Sequence, residues 1–484
     1  MDTPLLKDTD SINGGGKVVD VPAAAPPLPN QQQYAVYASR WWVLTLFSVS
    51  SALSAIMWIC LAPVETLAQA RWGVSSTAIN AVSLVFLILY LPASILATVL
   101  MEVRGLRTTL VVGCALDAAG LLVKWGGTLV PASHPTTGYA LVFAGQVLGA
   151  LGQPLILNVP ARLSMDWFPA HERELGTIAA TMSNVVGQMV GSLVPGYVVT
   201  DADGLAWMML AQAAPATLVF IAAAVSLPDA PPTPPSAAAA AQRAARTAAA
   251  RSTNLRTLLA ALWADVVALC RHTSFVLLAT GFAIGTGMAW TLLTVQAQLI
   301  LPCNYDNTVA GDSGGALLGV GVVTSFGVGV LLQRTKAYLG TQKAIMVASV
   351  AAAVFALAVN RPGNAGLVIG AWCVLGAVLE PLLPVTLEAA AELTYPIPAD
   401  SSTTVLLVAA NLVGTILIFV LGPLLALPAS ADCTTVFTPA AGVILGFMVV
   451  GALIVLPARG ANLRQAAEAN SSTGTQAEHS IASA

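Results

Sequence analysis

Residues 78–127 read AINAVSLVFLILYLPASILATVLMEVRGLRTTLVVGCALDAAGLLVKWGG. Two apolar blocks, 78–101 and 107–127, flank one polar knot, Glu102-Val103-Arg104-Gly105-Leu106-Arg107. A helix rises 1.5 Å per residue and the hydrocarbon core is about 30 Å thick, so about 20 apolar residues make one span. The stretch therefore reads as two membrane helices joined by a tight charged loop. Working outward, the same pattern recurs near 41–69, 138–164, 174–199 and 204–227, then near 273–301, 314–333, 343–359, 366–394, 402–428 and 437–457. The expected fold is an all-α membrane protein of twelve transmembrane helices. Composition agrees: 57% of residues are hydrophobic, 9% are charged and the mean hydropathy is +0.80. Soluble proteins carry charge on about a quarter of residues.

Domain limits follow from where the apolar blocks stop. Residues 1–39 are polar and rich in Pro, Ala and Gly, and are expected to form a disordered tail before an uncleaved first helix. Residues 40–228 make one six-helix bundle and 273–458 the other. Between them, 229–272 opens with Pro231-Pro232-Thr233-Pro234-Pro235-Ser236 and an Ala/Arg stretch, which reads as a linker. A stripe of Leu255, Leu258, Leu259, Leu262, Val266 and Leu269 then predicts a short interfacial helix. Residues 459–484 form a second disordered tail.

Charge placement orients the chain. Twelve spans put both termini on one side with loops 2–3, 4–5, 6–7 and 8–9. That side holds every Lys and Arg except Arg71, Lys124 and Arg361, seventeen of the twenty. The positive-inside rule makes it cytoplasmic, and the plasma membrane is the default location. The halves also repeat. Arg104 precedes Arg334 by 230 residues, Trp58 precedes Trp290 by 232 and Asn184 precedes Asn411 by 227. Such an offset indicates a six-plus-six duplication, in which two bundles rock about a midplane site.

Polar side chains at depth are the candidate functional residues, because the bilayer makes them costly. Trp58 and Trp290 lie mid-span, whereas Trp41, Trp42, Trp72, Trp125 and Trp207 sit at span ends and read as interface anchors. Two indole faces across the pathway form a box for a cation, worth about 2 kcal/mol when desolvated. Gln146, Asn184, Gln188 and Asn411 are candidate hydrogen-bonding partners for a substrate. The bland alternative is that rings and amides are packing and interhelical glue. Glu380, Glu388 and Glu392 are candidate ion-coupling carboxylates, and Asp117 is an isolated acid in the third span. Cys303 and Cys433 fall in loops on the same outer side and are candidates for a disulfide.

Other chemistry is not indicated. His134, His171, His272 and His479 all lie in loops, span ends or tails, so no axial imidazole stands at the midplane for a porphyrin. No ATPase-type glycine loop and no catalytic constellation is present, so the chain reads as no enzyme, with no cofactor and no metal. Its expected partners are a small solute and the lipid bilayer, not nucleic acid, and it is expected to act as a monomer.

Several strings carry a family resemblance. The knot Glu102–Arg107 is similar to the loop after helix 2 of the major facilitator superfamily, with Glu for the usual Asp. The strings Trp58-Ile59-Cys60-Leu61-Ala62-Pro63-Val64, Gly145-Gln146, Pro160-Ala161-Arg162 and Asp166-Trp167-Phe168-Pro169 resemble the feline leukaemia virus subgroup C receptor-related family. So do Ala180-Thr181-Met182-Ser183-Asn184 and Ala391-Glu392-Leu393-Thr394-Tyr395-Pro396. The Asp-Trp-Phe-Pro and Pro-rich strings look most like its less characterised branch. The resemblance implies the major facilitator fold and alternating-access transport of choline or ethanolamine, with heme export as an alternative and a non-transporting receptor or sensor as another. It also implies a cage at Trp58, Trp290, Gln146 and Asn411. Here Trp290 replaces the family's Tyr, Asn411 replaces its Gln, and Ala297 stands where the family has Asn, beside a retained Gln298. Glu102, Arg104, Arg107, Arg334 and Lys336 are the implied cytoplasmic gate loops, holding that side shut in the outward-facing state.

Overall fold

The computed structural model describes residues 34–169, 172–236, 239–240, 243–244, 255–394, 397, 399–428, 433 and 438–460. Of the expected tails at 1–39 and 459–484, residues 1–33 and 461–484 lie outside these residues, as do His171, His479 and part of the Ala/Arg linker. Ten helices of the described chain are long and apolar enough to cross a membrane. One of them, Ser76–Leu129, has 54 residues, about 80 Å of helix, far more than one crossing. At Gly105 its backbone turns to φ 81°, ψ −178°, a conformation that side chains with a Cβ adopt only under strain. A Cβ at Gly105 would also approach an Asp229 carboxylate oxygen to 2.8 Å. Gly105 thus divides α2 (76–104) from α3 (106–129). A further apolar helix of 17 residues, Pro439–Val455, brings the spans to twelve.

The remaining spans are α1 (Ser39–Ile59, resumed at Glu65–Trp72), α4 (Pro135–Leu157, resumed at Pro160–Trp167), α5 (Arg173–Leu193) and α6 (Ala202–Ser226). The second half has α7 (Thr273–Thr294, resumed at Gln296–Ile300), α8 (Asn307–Thr335), α9 (Tyr338–Val359), α10 (Ala365–Leu379, resumed at Leu382–Leu393), α11 (Ala399–Leu425) and α12 (Pro439–Val455). A helix at Leu255–Arg271 occupies the stretch before α7. Neighbour relations repeat between halves: α1 packs on α5 as α7 packs on α11, and α3 on α4 as α9 on α10. The halves meet where α5 lies against α8 and α2 against α11.

The breaks repeat too. α1 is interrupted at 60–64 and α7 at Val295, while α4 is interrupted at 158–159 and α10 at 380–381. Proline explains three of them. Pro63, Pro160 and Pro381 have no N–H to offer the preceding turn. Broken spans are tolerated in lipid only where side chains satisfy the freed carbonyls, and these four pairwise-related breaks mark where the polar site residues gather.

Cys303, which ends the α7 segment, is joined to Cys433 before α12 by a disulfide, with Cα atoms 5.5 Å apart. Trp41, Trp42 and Trp207 are exposed, as interface anchors would be, whereas Trp72 is fully buried. Trp72 packs with Ile79, Val142 and Leu205 because α1 ends by tucking under α4, where Gly138 leaves room for the ring. Lys124, near the edge of the 107–127 block, is likewise fully buried inside the first half.

Candidate functional site

α1 stops at Ile59, so the carbonyls of its last turn lack the usual partners. The Met57 carbonyl is met instead by two side chains: Gln146 Nε2 of α4 donates to it at 3.1 Å and Lys124 Nζ of α3 at 3.2 Å. Both donors are fully buried. Their approach requires α3 and α4 to cross almost in contact, which Gly120 and Gly145 permit, since a Cβ on either would strike the other's backbone. The Gln146 carbonyl oxygen finds no protein donor among the described residues, leaving it able to accept from a bound molecule.

The next residue, Trp58, is clamped to α2. Its indole Nε1 donates to the Ser83 carbonyl at 3.2 Å, and the Ser83 hydroxyl donates back to the Trp58 carbonyl at 3.1 Å. With its one polar atom engaged, the ring contributes a rigid apolar face. That face belongs to a cluster formed by both halves: Leu53, Met57, Leu84 and Phe86 from the first, Met288, Leu292, Leu417 and Leu421 from the second. Trp290 packs against the same cluster, partly buried. Trp58 and Trp290 thus border one extended apolar cluster that runs through both halves, and Gln146 meets Met57 of that cluster.

The other amides lie around it. Asn184 of α5 donates to the Ser51 carbonyl of α1 at 3.3 Å and accepts from Gln188 at 2.8 Å. Asn411 of α11 donates to its own helix at Leu407, close to where Thr291 of α7 reaches the Gly414 carbonyl. Gln298 does not join the cage region. It lies toward the side opposite the described chain ends, donating to Asn80 of α2 at 2.7 Å.

On that far side the halves are zipped together. Ser192 of α5 donates to Gln296 of α7 at 3.1 Å, Tyr197 donates to Asp312 of α8 at 2.7 Å, and Gly196 packs on the Asn307 backbone. Glu65, which begins the second segment of α1, is buried at this junction. Its Oε1 accepts from Gln69 at 2.8 Å and from Ser76, with the Gln298 amide beside it, while Oε2 has no partner among the described residues. Sequence reasoning passed over Glu65, although a carboxylate inside the 41–69 apolar block is the signal that should have found it.

Of the three acids expected to couple ions, Glu380 sits in the break of α10, its stem against Gly321 of α8, so close that no Cβ fits there. Its counterpart in the α4 break is Asn158, whose Oδ1 accepts from Tyr90 at 3.3 Å. Glu388 is exposed and Glu392 buried, both nearer the terminal side. The gate-loop residues are engaged within the first half: Glu102 pairs with Arg162 at 3.2 Å, and Arg107 binds Asp229 through its N–H and the Ala224 carbonyl through its guanidinium. Arg104, Arg334 and Lys336 are exposed. At the far-side start of α8, Asp306 caps the helix. The Thr308 hydroxyl and the Val309 N–H hold its carboxyl below the usual range.

Comparison with known proteins places this geometry. The family model of the Major Facilitator Superfamily matches residues 47–360. Solute carrier family 49 member A3 of Xenopus tropicalis is 30% identical over 388 residues, covering 79% of this chain and 77% of that protein. A cat protein (Felis catus) named Choline/ethanolamine transporter FLVCR1 is 29% identical over 420 residues, covering 85% of this chain and 70% of its own. Among solved structures, a D-xylose-proton symporter superposes with a TM-score of 0.64 at 13% identity, over 87% of this chain and 98% of the symporter. That likeness shows the fold alone.

Proposed function

Because this chain belongs to the Major Facilitator Superfamily, and within it to the solute carrier 49 relatives, we propose that it carries a choline- or ethanolamine-like organic cation by alternating access. Transport itself follows from the family; the cation is the proposal. The observation that carries it is that Trp58 and Trp290 border one apolar cluster shared by both halves, while Gln146, whose carbonyl oxygen has no hydrogen-bond partner among the described residues, donates to Met57 beside Trp58.

A quaternary ammonium is held by ring faces that need no hydrogen bond from it, and an amide oxygen suits the hydroxyl or amine at its other end. The indole of Trp290 supplies a larger face than a phenol ring would, and Asn411 and Asn184 offer short amides from α11 and α5. The far-side contacts around Gln298, Asn80 and Gln296 support a state closed on that side. By the positive-inside rule it is the extracellular one, with both termini cytoplasmic, and the plasma membrane is the proposed location. The carrier acts as a monomer with its two bundles rocking about the tryptophans. Glu380, at the α10 break, is the proposed carboxylate that draws cations toward the site.

Uptake of labelled choline and ethanolamine in cells expressing the wild type, Trp58→Ala and Trp290→Ala tests this reading. Uptake by the wild type and loss in both variants is expected. Uptake that survives both substitutions refutes the cage.

A further inference from the structure

Asp117 stands at the middle of α3, 3% exposed, and neither carboxylate oxygen meets a donor in bonding geometry among the described residues. Buried polar groups are almost always paired, so an orphaned one calls for a reason. From α1 it is faced by Ser54, whose own hydroxyl is buried and unpaired, and by Ser50, which is engaged with Cys114 at 3.1 Å. From α4 it is faced by Gly152, where a Cβ would come within 2.8 Å of Oδ1. On α3 itself the titratable neighbours are Cys114 and, two turns on, Lys124, which is committed to the Met57 carbonyl and lies 3.9 Å from Cys60 Sγ. No cation from α1 or α4 faces Asp117.

We propose that Asp117 is a proton-carrying site linked to the cation site at Trp58, and that it releases its proton when the organic cation arrives. The linkage rests on the cation reading above. An ionised carboxylate without donor or counterion at mid-membrane depth is strongly unfavourable, so the empty site keeps the neutral acid. One turn of α1 connects the two places: Ser54 lies on Asp117 and Trp58 on the pathway. The positive charge brought by substrate is accommodated when the Asp117 O–H bond breaks, its electron pair stays on the carboxylate and the proton leaves to water. The net charge of the cluster is then unchanged.

The experiment uses the purified full chain in weakly buffered solution. Choline binding, followed by calorimetry, is expected to release about one proton per molecule bound. The apparent Kd falls about tenfold per unit rise in pH while Asp117 titrates. Asp117→Asn is expected to bind with no proton release and no such pH dependence. Choline bound without proton release, unchanged pH dependence in Asp117→Asn, or binding that follows sodium instead of pH overturns the proposal. Infrared difference spectroscopy decides it without substrate: the wild type should show a protonated-acid carbonyl band that Asp117→Asn lacks and Ser54→Ala shifts. Failure of choline to bind at all refutes the cation reading and leaves the infrared band to decide the proton site, whose absence in the wild type overturns it.

Discussion

Replacing Trp58 separates ring electrostatics from ring volume. In Trp58→Leu the apolar contact with the shared cluster is largely kept and the π face is lost. A desolvated cation–π contact is worth about 2 kcal/mol, which corresponds to about a 30-fold weaker affinity for choline. In Trp58→Phe a π face remains and the indole N–H, which donates to the Ser83 carbonyl at 3.2 Å, disappears. That loss removes one buried hydrogen bond, worth about 0.5–1.5 kcal/mol, from a carbonyl that its own helix still holds, a cost borne by fold stability more than by binding. Both variants lose that bond and should melt lower, whereas only Leu, which also loses the π face, should bind choline markedly more weakly. Binding of choline and of its neutral carbon isostere 3,3-dimethylbutanol to purified protein, with thermal melts of each variant, reads both. If Leu weakens the neutral isostere as much as choline, or if Phe and Leu weaken choline equally, charge recognition by the ring is refuted.

Four further outcomes follow from the geometry. Gly105→Ala places a Cβ at φ 81° and against Asp229, and should lower stability by about 1–3 kcal/mol, seen as a lower melting temperature and restored in part by Asp229→Ala. Cys303→Ser or Cys433→Ser opens a connection spanning 130 residues and should cost several kcal/mol, with about 5 as the chain-entropy expectation; melts with and without reductant check it. Because the Asp306 carboxyl is held below its ordinary range, its capping contribution is present above the unfolded value and disappears as pH falls through the folded one. Asp306→Asn should flatten that acid-side loss of stability in melts between pH 5 and 2.5. Gln298→Leu removes the donor to Asn80 across the halves and should raise labelling of a far-side cysteine probe placed at Ser192 by several-fold; unchanged labelling denies the junction a gating role.

The twelve spans were legible because apolar runs of bilayer length leave little choice of structure, and the charge knot at 102–107 marked the α2–α3 boundary at the glycine where it falls. The tryptophan pair and Gln146 stood out because large polar-edged side chains at depth are rare. Other features resist such reading. Helix breaks do not lower apolarity, so the interruptions at 60–64 and 380–381 left only Pro63 and Pro381 as signs. Lys124 and Trp72 lie at block edges, where an aqueous and a buried setting look alike in sequence. Gln298 carries the same amide as Gln146, and only the packing of α7 against α2 sends it to the junction between halves instead of the cage.

Two donors on one carbonyl also bear on how such a carrier changes over generations. With Gln146 and Lys124 both bonded to Met57, the broken end of α1 stays capped if either is exchanged for something else. Position 146 can thus be exchanged for other side chains while the Lys124 amine keeps the bend in place. What the site offers a solute is thereby separated from what holds the end of α1.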